Sequence, residues 1–227
     1  MVSLLSVPAN SYDTFDDHTL LGGVSSRQYY LTASAVANIE TATLAGVGNW
    51  NASAAPVNWT IASEANGEVV FNWVQSNATD ACALTYWWYD GVFHSYPEQN
   101  WNWSKVNIRS LIKNPDYCGP TGHRQGIVAH ELGHAMGLAH VFSRPAMIMY
   151  VWVADTSVND PGDDDIEGIK HLYQVRPPKL EQLIPGSPHE QADPHPPQHS
   201  RRRGRSLRNL SLVVLQRQQH REHLPGQ

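Results

Sequence analysis

The sequence predicts an α+β fold, in which the strands and helices of one domain share a core. Apolar residues alternate with period two in several short segments, as they do in half-buried strands. In other segments the apolar residues recur at helical spacing. Hydrophobic residues make up 41% of the 227 residues, which is enough for a buried core of ordinary size.

Each predicted element has a local signal between residues 28 and 175. A first helix begins near Ser34, whose hydroxyl suits an N-cap, and residues 49–56 end it. A glycine-rich loop at 122–126 opens a second helix, and acidic residues at 163–165 favour the start of a last one. The apolar positions of the first helix are Val36, Ile39, Leu44, Val47 and Trp50. Strands are predicted at 29–31, 57–61, 69–74, 83–89 and 105–112.

Composition divides the chain into an N-terminal extension at 1–27, a folded domain at 28–175 and a tail at 176–227. Up to residue 175 there are 7 Lys and Arg against 17 Asp and Glu, so the body lacks the basic surface that nucleic acid requires. The tail is rich in Pro, His and Arg, and we expect disorder there.

The tail has 9 basic against 4 acidic residues, which is typical of a solvated basic segment. Binding of the tail to nucleic acid or membrane, with the domain as cargo, stays an alternative, as does an altered reading frame. No stretch approaches the ~20 apolar residues of a transmembrane helix, so none is expected.

A short segment holds four residues with the spacing of a catalytic zinc site. His130 and His134 are four residues apart, so a helix places them on one face. Glu131 lies about 100° round that helix from His130 and can reach a metal-bound water without binding the metal. His140 would lie about 15 Å from His130 along a continued helix, too far to share an ion, so we expect the chain to turn at Gly137.

Three neutral histidine ligands leave a fourth tetrahedral position for water, as in catalytic zinc sites. Zinc lowers the pKa of that water to about 7, and we expect Glu131 to take its proton as the water attacks a peptide carbonyl. A chain with twelve histidines can contain H-E-x-x-H by chance. The addition of Gly137 and His140 makes the pattern specific.

Together these residues match the extended metzincin signature H-E-x-x-H-x-x-G-x-x-H, and their flanks resemble matrixins. Residues 146–150 are similar to the Met-turn of that clan, and 164–173 to the closing helix of matrixins. The resemblance implies a twisted, mostly parallel sheet with two helices above an active-site cleft, and a small irregular lower subdomain that ends in a helix. The implied site residues are the zinc ligands His130, His134 and His140, the base Glu131, the Met-turn residue Met149, and a specificity-pocket wall of Tyr150, Val151, Trp152 and Val153.

The function that this resemblance implies is a secreted zinc endopeptidase, similar to microbial relatives of matrixins, that acts as a monomer on proteins or peptides. One catalytic zinc ion is expected, and no nucleic acid. The loop at 75–81 is short and lacks histidine, so the structural zinc and calcium sites of animal matrixins have no support here. The alternative is a non-catalytic zinc-binding or protein-binding module on the same fold. Its signature would be loss of Glu131 or of a histidine, and neither is lost.

The two cysteines of the chain, Cys82 and Cys118, are predicted to form a disulfide, because secreted domains oxidise their cysteines. Two free buried thiols are the alternative.

Overall fold

The computed structural model describes residues 12–63, 67–76, 81–119, 123–152 and 156–174. All of them belong to the first of two units of the chain, which ends at Pro177. The tail predicted at 176–227 lies outside the described residues, as does Val153. The elements are β1 (Arg27–Leu31), α1 (Ala33–Ala52), β2 (Trp59–Ile61), β3 (Val69–Val74), β4 (Ala83–Tyr89), β5 (Val92–His94), β6 (Trp103–Arg109), α2 (Pro115–Cys118), α3 (Arg124–Met136) and α4 (Asp163–Tyr173).

The predicted α+β fold is confirmed, since the described residues form one mixed sheet of six strands with helices packed on it. The strand order is β2-β1-β3-β6-β4-β5. The neighbours β2, β1, β3 and β6 are parallel, whereas β4 is antiparallel to both β6 and β5. The strand β5 was not predicted, although the sequence carries a signal for it. Asp90 and Gly91 have φ of 53° and 79°, as a two-residue hairpin turn requires, and Tyr89 then pairs with Val92.

The helix α1 begins earlier than predicted, because Thr32 rather than Ser34 is its N-cap. The Thr32 side chain accepts a hydrogen bond from the Ala35 N–H, and its extended backbone continues β1. The buried face also differs from the prediction, since Val36 and Leu44 are 45% and 46% exposed. The residues that α1 buries are Ala35, Ile39, Thr43, Gly46, Val47 and Trp50.

The helices α1 and α3 pack against each other closely at Gly46. A Cβ there would lie 2.6 Å from the Gln125 carbonyl oxygen and 3.0 Å from the Ala129 nitrogen, so only glycine allows this approach. The core between these helices and the sheet includes Phe71, Val106 and Leu132, all fully buried. The sheet and α1 thus form a rigid support for α3.

After α3 the described residues 137–152 and 156–162 form no helix or strand, and α4 follows them. The last predicted strand, 105–112, is observed as Trp103–Arg109 followed by a 3₁₀ turn at Ser110–Lys113. The strand predicted at 57–61 is shorter, at Trp59–Ile61. Among the described residues, no helix combines the length and the apolar character that a membrane span requires.

Candidate metal centre

The helix α3 carries His130, Glu131 and His134, and every residue from Gly126 to Met136 is buried. The helix ends at Gly137, whose φ of 110° is accessible to glycine and strained for other residues. The Gly137 N–H donates to the His134 carbonyl oxygen at 3.0 Å, which closes the last turn. The chain therefore reverses directly after the second histidine.

The reversal brings His140 back to the two helical histidines. The Nε2 atom of His140 lies 3.2 Å from Nε2 of His130 and 3.1 Å from Nε2 of His134. One ring nitrogen from each of the three residues lies within 4.8 Å of the others. Two nitrogens that bind one zinc ion at ~2.1 Å with tetrahedral angles lie about 3.4 Å apart, close to the separations observed here.

Backbone carbonyls fix the tautomers of the two helical histidines. The Nδ1–H of His130 donates to the Ile148 oxygen, and that of His134 to the Leu138 oxygen, each at 2.7 Å. In the neutral ring, Nε2 then carries a lone pair. Both lone pairs point at His140, which has at most one proton on Nε2 and can satisfy only one of them. A cation satisfies all three nitrogens at once, so these residues fit a zinc ion.

Burial keeps the three histidines in the neutral form that binds metal. It lowers the pKa of His130 to about 3 and that of His140 to about 4. The pKa of His134 is also lowered well below its ordinary value by burial, and the two neighbouring histidines add to this effect. Binding of a metal therefore requires no deprotonation at neutral pH.

Glu131 follows His130 on α3 and is 6% exposed. Its Oε2 atom accepts a hydrogen bond from the Thr85 hydroxyl at 2.6 Å. Burial raises the pKa of Glu131 to about 7, although the Thr85 bond and the charge of Arg109 oppose this shift. A carboxyl group with a pKa near neutrality can both accept and return a proton.

Met149, the predicted Met-turn residue, is 1% exposed and packs beneath α3. A Cβ at position 133 would collide with the Met149 sulfur, so the close approach requires Gly133. Met147, the other methionine of this segment, packs against Gly162 instead.

A buried carboxylate with no predicted role in the site holds the segment predicted to form the Met-turn. Asp165 is 1% exposed and accepts hydrogen bonds from the N–H groups of Ile148 (2.9 Å), Met149 (3.2 Å) and Gly162 (2.8 Å). The carbonyl of Ile148 is the one that accepts from His130. A single peptide thus links the Asp165 carboxylate to the first histidine.

Three buried tryptophans also hold α3, a role that no local sequence pattern indicates. The indole N–H groups of Trp50, Trp87 and Trp101 donate to the carbonyls of Ala129, His134 and Ala135 at 2.8, 3.1 and 3.2 Å.

With this geometry established, comparison with known proteins shows the family. A sequence model of the matrixin family matches residues 38–174, which is more than half of the chain. The chain belongs to the matrixin family.

Two curated matrixin relatives are similar to part of this chain. Matrix metalloproteinase-9 of Canis lupus familiaris is 42% identical over 62 residues, which are 27% of this chain and 9% of that protein. Stromelysin-2 of Rattus norvegicus is 39% identical over 70 residues, which are 30% of this chain and 15% of that protein. The similarity therefore covers a small part of either relative.

The matrixin match begins after the N-terminal segment, yet described residues of this segment contact the candidate metal centre. Thr14 forms a bridge with Leu138, and the Ala139 N–H donates to the Asp13 carbonyl at 2.9 Å. The ring of Phe15 lies 5.7 Å from that of His134. Residues 13–15, which fall in the predicted N-terminal extension at 1–27, thus pack on α3 and on the loop that carries the third histidine.

The residues predicted to line the matrixin specificity pocket follow Met149. Tyr150 is half-buried and forms a bridge with Val141, directly after His140. Val151 donates its N–H to the Val141 carbonyl at 3.0 Å, and Trp152 is half-buried. Tyr150 and Val151 therefore pair with the residue that follows the third histidine.

A disulfide joins Cys82, just before β4, to Cys118 at the end of α2, with Cα atoms 5.9 Å apart. It connects the sheet to the segment that leads into α3.

Proposed function

We propose that this matrixin domain is a zinc endopeptidase that hydrolyses peptide bonds within proteins or peptides. His130, His134 and His140 hold one catalytic zinc ion, and Glu131 is the general base. One observation carries the proposal: three neutral imidazole nitrogens converge, and the residue that follows the first of these histidines has a buried carboxyl group with a pKa near 7. A structural zinc site needs no such carboxyl group.

The bound zinc ion supplies Lewis acidity, which acidifies water and polarises the scissile carbonyl. Glu131 takes the proton of the attacking water, and it passes this proton to the nitrogen of the leaving amine. Ile148 and Leu138 keep the histidine rings in the tautomer that presents Nε2. The buried surroundings exclude bulk water and strengthen these electrostatic interactions.

The edge of β4 supports a peptide as the substrate. The Arg109 N–H donates to the Cys82 carbonyl, so the alternation of antiparallel pairs directs the backbone groups of Ala83 and Thr85 away from β6. On that side β5 pairs only with Trp87 to Tyr89, and no other described strand pairs with Ala83 or Thr85. An extended peptide can add to this edge as a strand, beside Glu131.

The wall of the main specificity pocket is proposed at Tyr150, Val151, Trp152 and Val153. We also propose that the enzyme acts outside the cell as a monomer. The disulfide supports an oxidising compartment. The acidic balance up to residue 175 supports protein rather than nucleic acid as the partner.

Two substitutions test the function, because they remove different parts of the site. Glu131→Gln keeps the shape of the side chain but removes its basicity. Zinc content should stay near one ion per chain, while peptide hydrolysis falls by about 10²–10⁴. His134→Ala should lose both zinc and activity. His171→Ala, in α4, is the matched control and should retain both.

Metal analysis and hydrolysis of a peptide library provide the two measurements. A wild type that binds zinc but cleaves no peptide or denatured protein would indicate the non-catalytic module. Unchanged hydrolysis by Glu131→Gln would refute the assignment of the base.

A further inference from the structure

A buried threonine contacts the proposed base from the neighbouring strand. Thr85 lies in β4 with its side chain on the face that packs against α3, and it is 6% exposed. Its hydroxyl lies 2.6 Å from Oε2 of Glu131 and 3.1 Å from the Glu131 backbone oxygen. Among the described residues, no other side chain donates a hydrogen bond to this carboxylate.

A hydrogen bond to Oε2 restricts the Glu131 side chain, which otherwise rotates about three torsions. It occupies one carboxylate oxygen and leaves Oε1 for the proton of the reaction. The same hydroxyl also suits the form of Glu131 that holds this proton. With the proton on Oε1, Oε2 is still an acceptor, so the Thr85 hydroxyl can continue to donate to it. The Glu131 side chain can thus keep one position in both steps of the proton transfer.

We propose that Thr85 is a positioning residue, which holds the Glu131 carboxylate in a fixed position relative to the substrate. This inference rests on the proposed function. The side chain of Thr85 fixes the base, while its backbone groups face the part of the β4 edge with which no described strand pairs. A peptide that pairs with this edge is therefore aligned by the residue that aligns Glu131. Holding reacting groups in the correct geometry increases the reaction rate by a large factor, and small displacements reduce this gain.

The test compares Thr85→Val, which removes the hydroxyl but keeps the shape, with Thr85→Ser, which keeps the hydroxyl. Thr85→Val should lower kcat about 10-fold, the worth of one hydrogen bond to a charged group, with KM changed less than about twofold. Thr85→Ser should restore kcat to within about threefold of wild type. Zinc content should stay near one ion per chain in both variants.

The matched control is Thr43→Val. Thr43 is a fully buried threonine in α1 whose hydroxyl donates to the Ile39 carbonyl at 3.1 Å. Loss of that bond should lower the Tm slightly and leave kcat within about twofold of wild type.

A second measurement needs no activity. In the zinc-free chain, Thr85→Val should lower the Tm by about 3–6 °C, because a buried carboxyl loses its donor. In a Glu131→Ala background the same change should lower it by at most about 2 °C, since no carboxyl remains. Equal Tm losses in the two backgrounds would show that the hydroxyl does not hold Glu131.

The kinetic outcomes separate this inference from the proposed function. An active wild type with an unchanged kcat in Thr85→Val overturns the role of Thr85 and leaves the proposed function intact. Failure of Thr85→Ser to restore kcat also overturns it, because packing rather than the hydroxyl then matters. An inactive wild type overturns the proposed function and the positioning role with it.

Discussion

The substitution Asp165→Asn tests how strongly the site depends on the carboxylate beneath the Met-turn. Oδ2 of Asp165 accepts from the N–H groups of Ile148 and Gly162, and Oδ1 accepts from Met149. Asparagine has the same shape but one oxygen, and its NH₂ group cannot accept a hydrogen bond. Whichever way the amide is oriented, at least one buried backbone N–H then faces another donor.

Each buried donor left unpaired costs about 1–3 kcal/mol. A neutral asparagine recovers part of this loss, because burying the Asp165 carboxylate itself costs free energy. That cost is the reason why burial raises the pKa of Asp165. We therefore expect a loss of about 2–3 kcal/mol in unfolding free energy, which lowers the Tm of a domain this size by about 4–12 °C. Since the Ile148 carbonyl orients His130, zinc affinity should also fall about 10–100-fold.

The assay is thermal unfolding followed by circular dichroism, together with zinc competition against a chelator of known affinity. Asp164→Asn is the matched control. Asp164 pairs with Arg144 at 2.8 Å, but the two side chains are 21% and 49% exposed, and such a pair contributes at most about 1 kcal/mol. If Asp165→Asn unfolds within about 2 °C of wild type and binds zinc equally well, the carboxylate does not support the site as argued.

Three further predictions concern the domain as a whole. Replacing Cys82 and Cys118 by serine should lower the free energy of unfolding by about 4 kcal/mol, the chain-entropy value for a loop of this length, as measured by denaturant unfolding. Two free thiols in the non-reduced protein would refute the disulfide. Burial raises the pKa of the Tyr173 hydroxyl above its ordinary value of about 10. The free energy that this hydroxyl contributes to folding is therefore present below pH ~10 and is lost as the pH rises above that value. The difference in unfolding free energy between wild type and Tyr173→Phe should become smaller at alkaline pH. Phe15→Ala should lower the unfolding free energy by about 3 kcal/mol, because the ring is buried, and Phe93→Ala, which removes a 37% exposed ring, should lower it less.

The proposed ligands could be derived from the sequence because their geometry is local. His130, Glu131 and His134 lie within five residues of a helix, and helix periodicity alone determines their relative directions. The need for a chain reversal followed from the distance between His130 and His140 along a continued helix. Only a turn before His140 allows that residue to reach the same ion. Gly137 is the residue that permits it, and its φ of 110° is the left-handed conformation that this argument requires.

The residues that support the site could not be predicted, because they are distant in sequence. Thr85 is 46 positions from Glu131, and Asp165 is 17 positions from Ile148. A threonine in a strand and an aspartate in the first turn of a helix both have ordinary local explanations. The pairing of β4 with β6 and the packing of α4 against the Met-turn create these contacts, and no local pattern encodes either.

The contribution of the N-terminal segment to the core also could not be predicted from local sequence patterns. Residues 12–24 form no helix or strand, so they carry no periodic signal, and the predicted domain accordingly began at residue 28. Phe15 nevertheless packs on Trp87 and Tyr96 as well as on His134, with ring centroids 5.1 and 5.4 Å away. A segment of irregular backbone becomes part of a core when its hydrogen bonds are satisfied elsewhere, and here the bond from Phe15 N–H to the Gly137 carbonyl does this. The turn that returns the third histidine to the metal centre is thus held from outside by residues that precede every strand of the sheet.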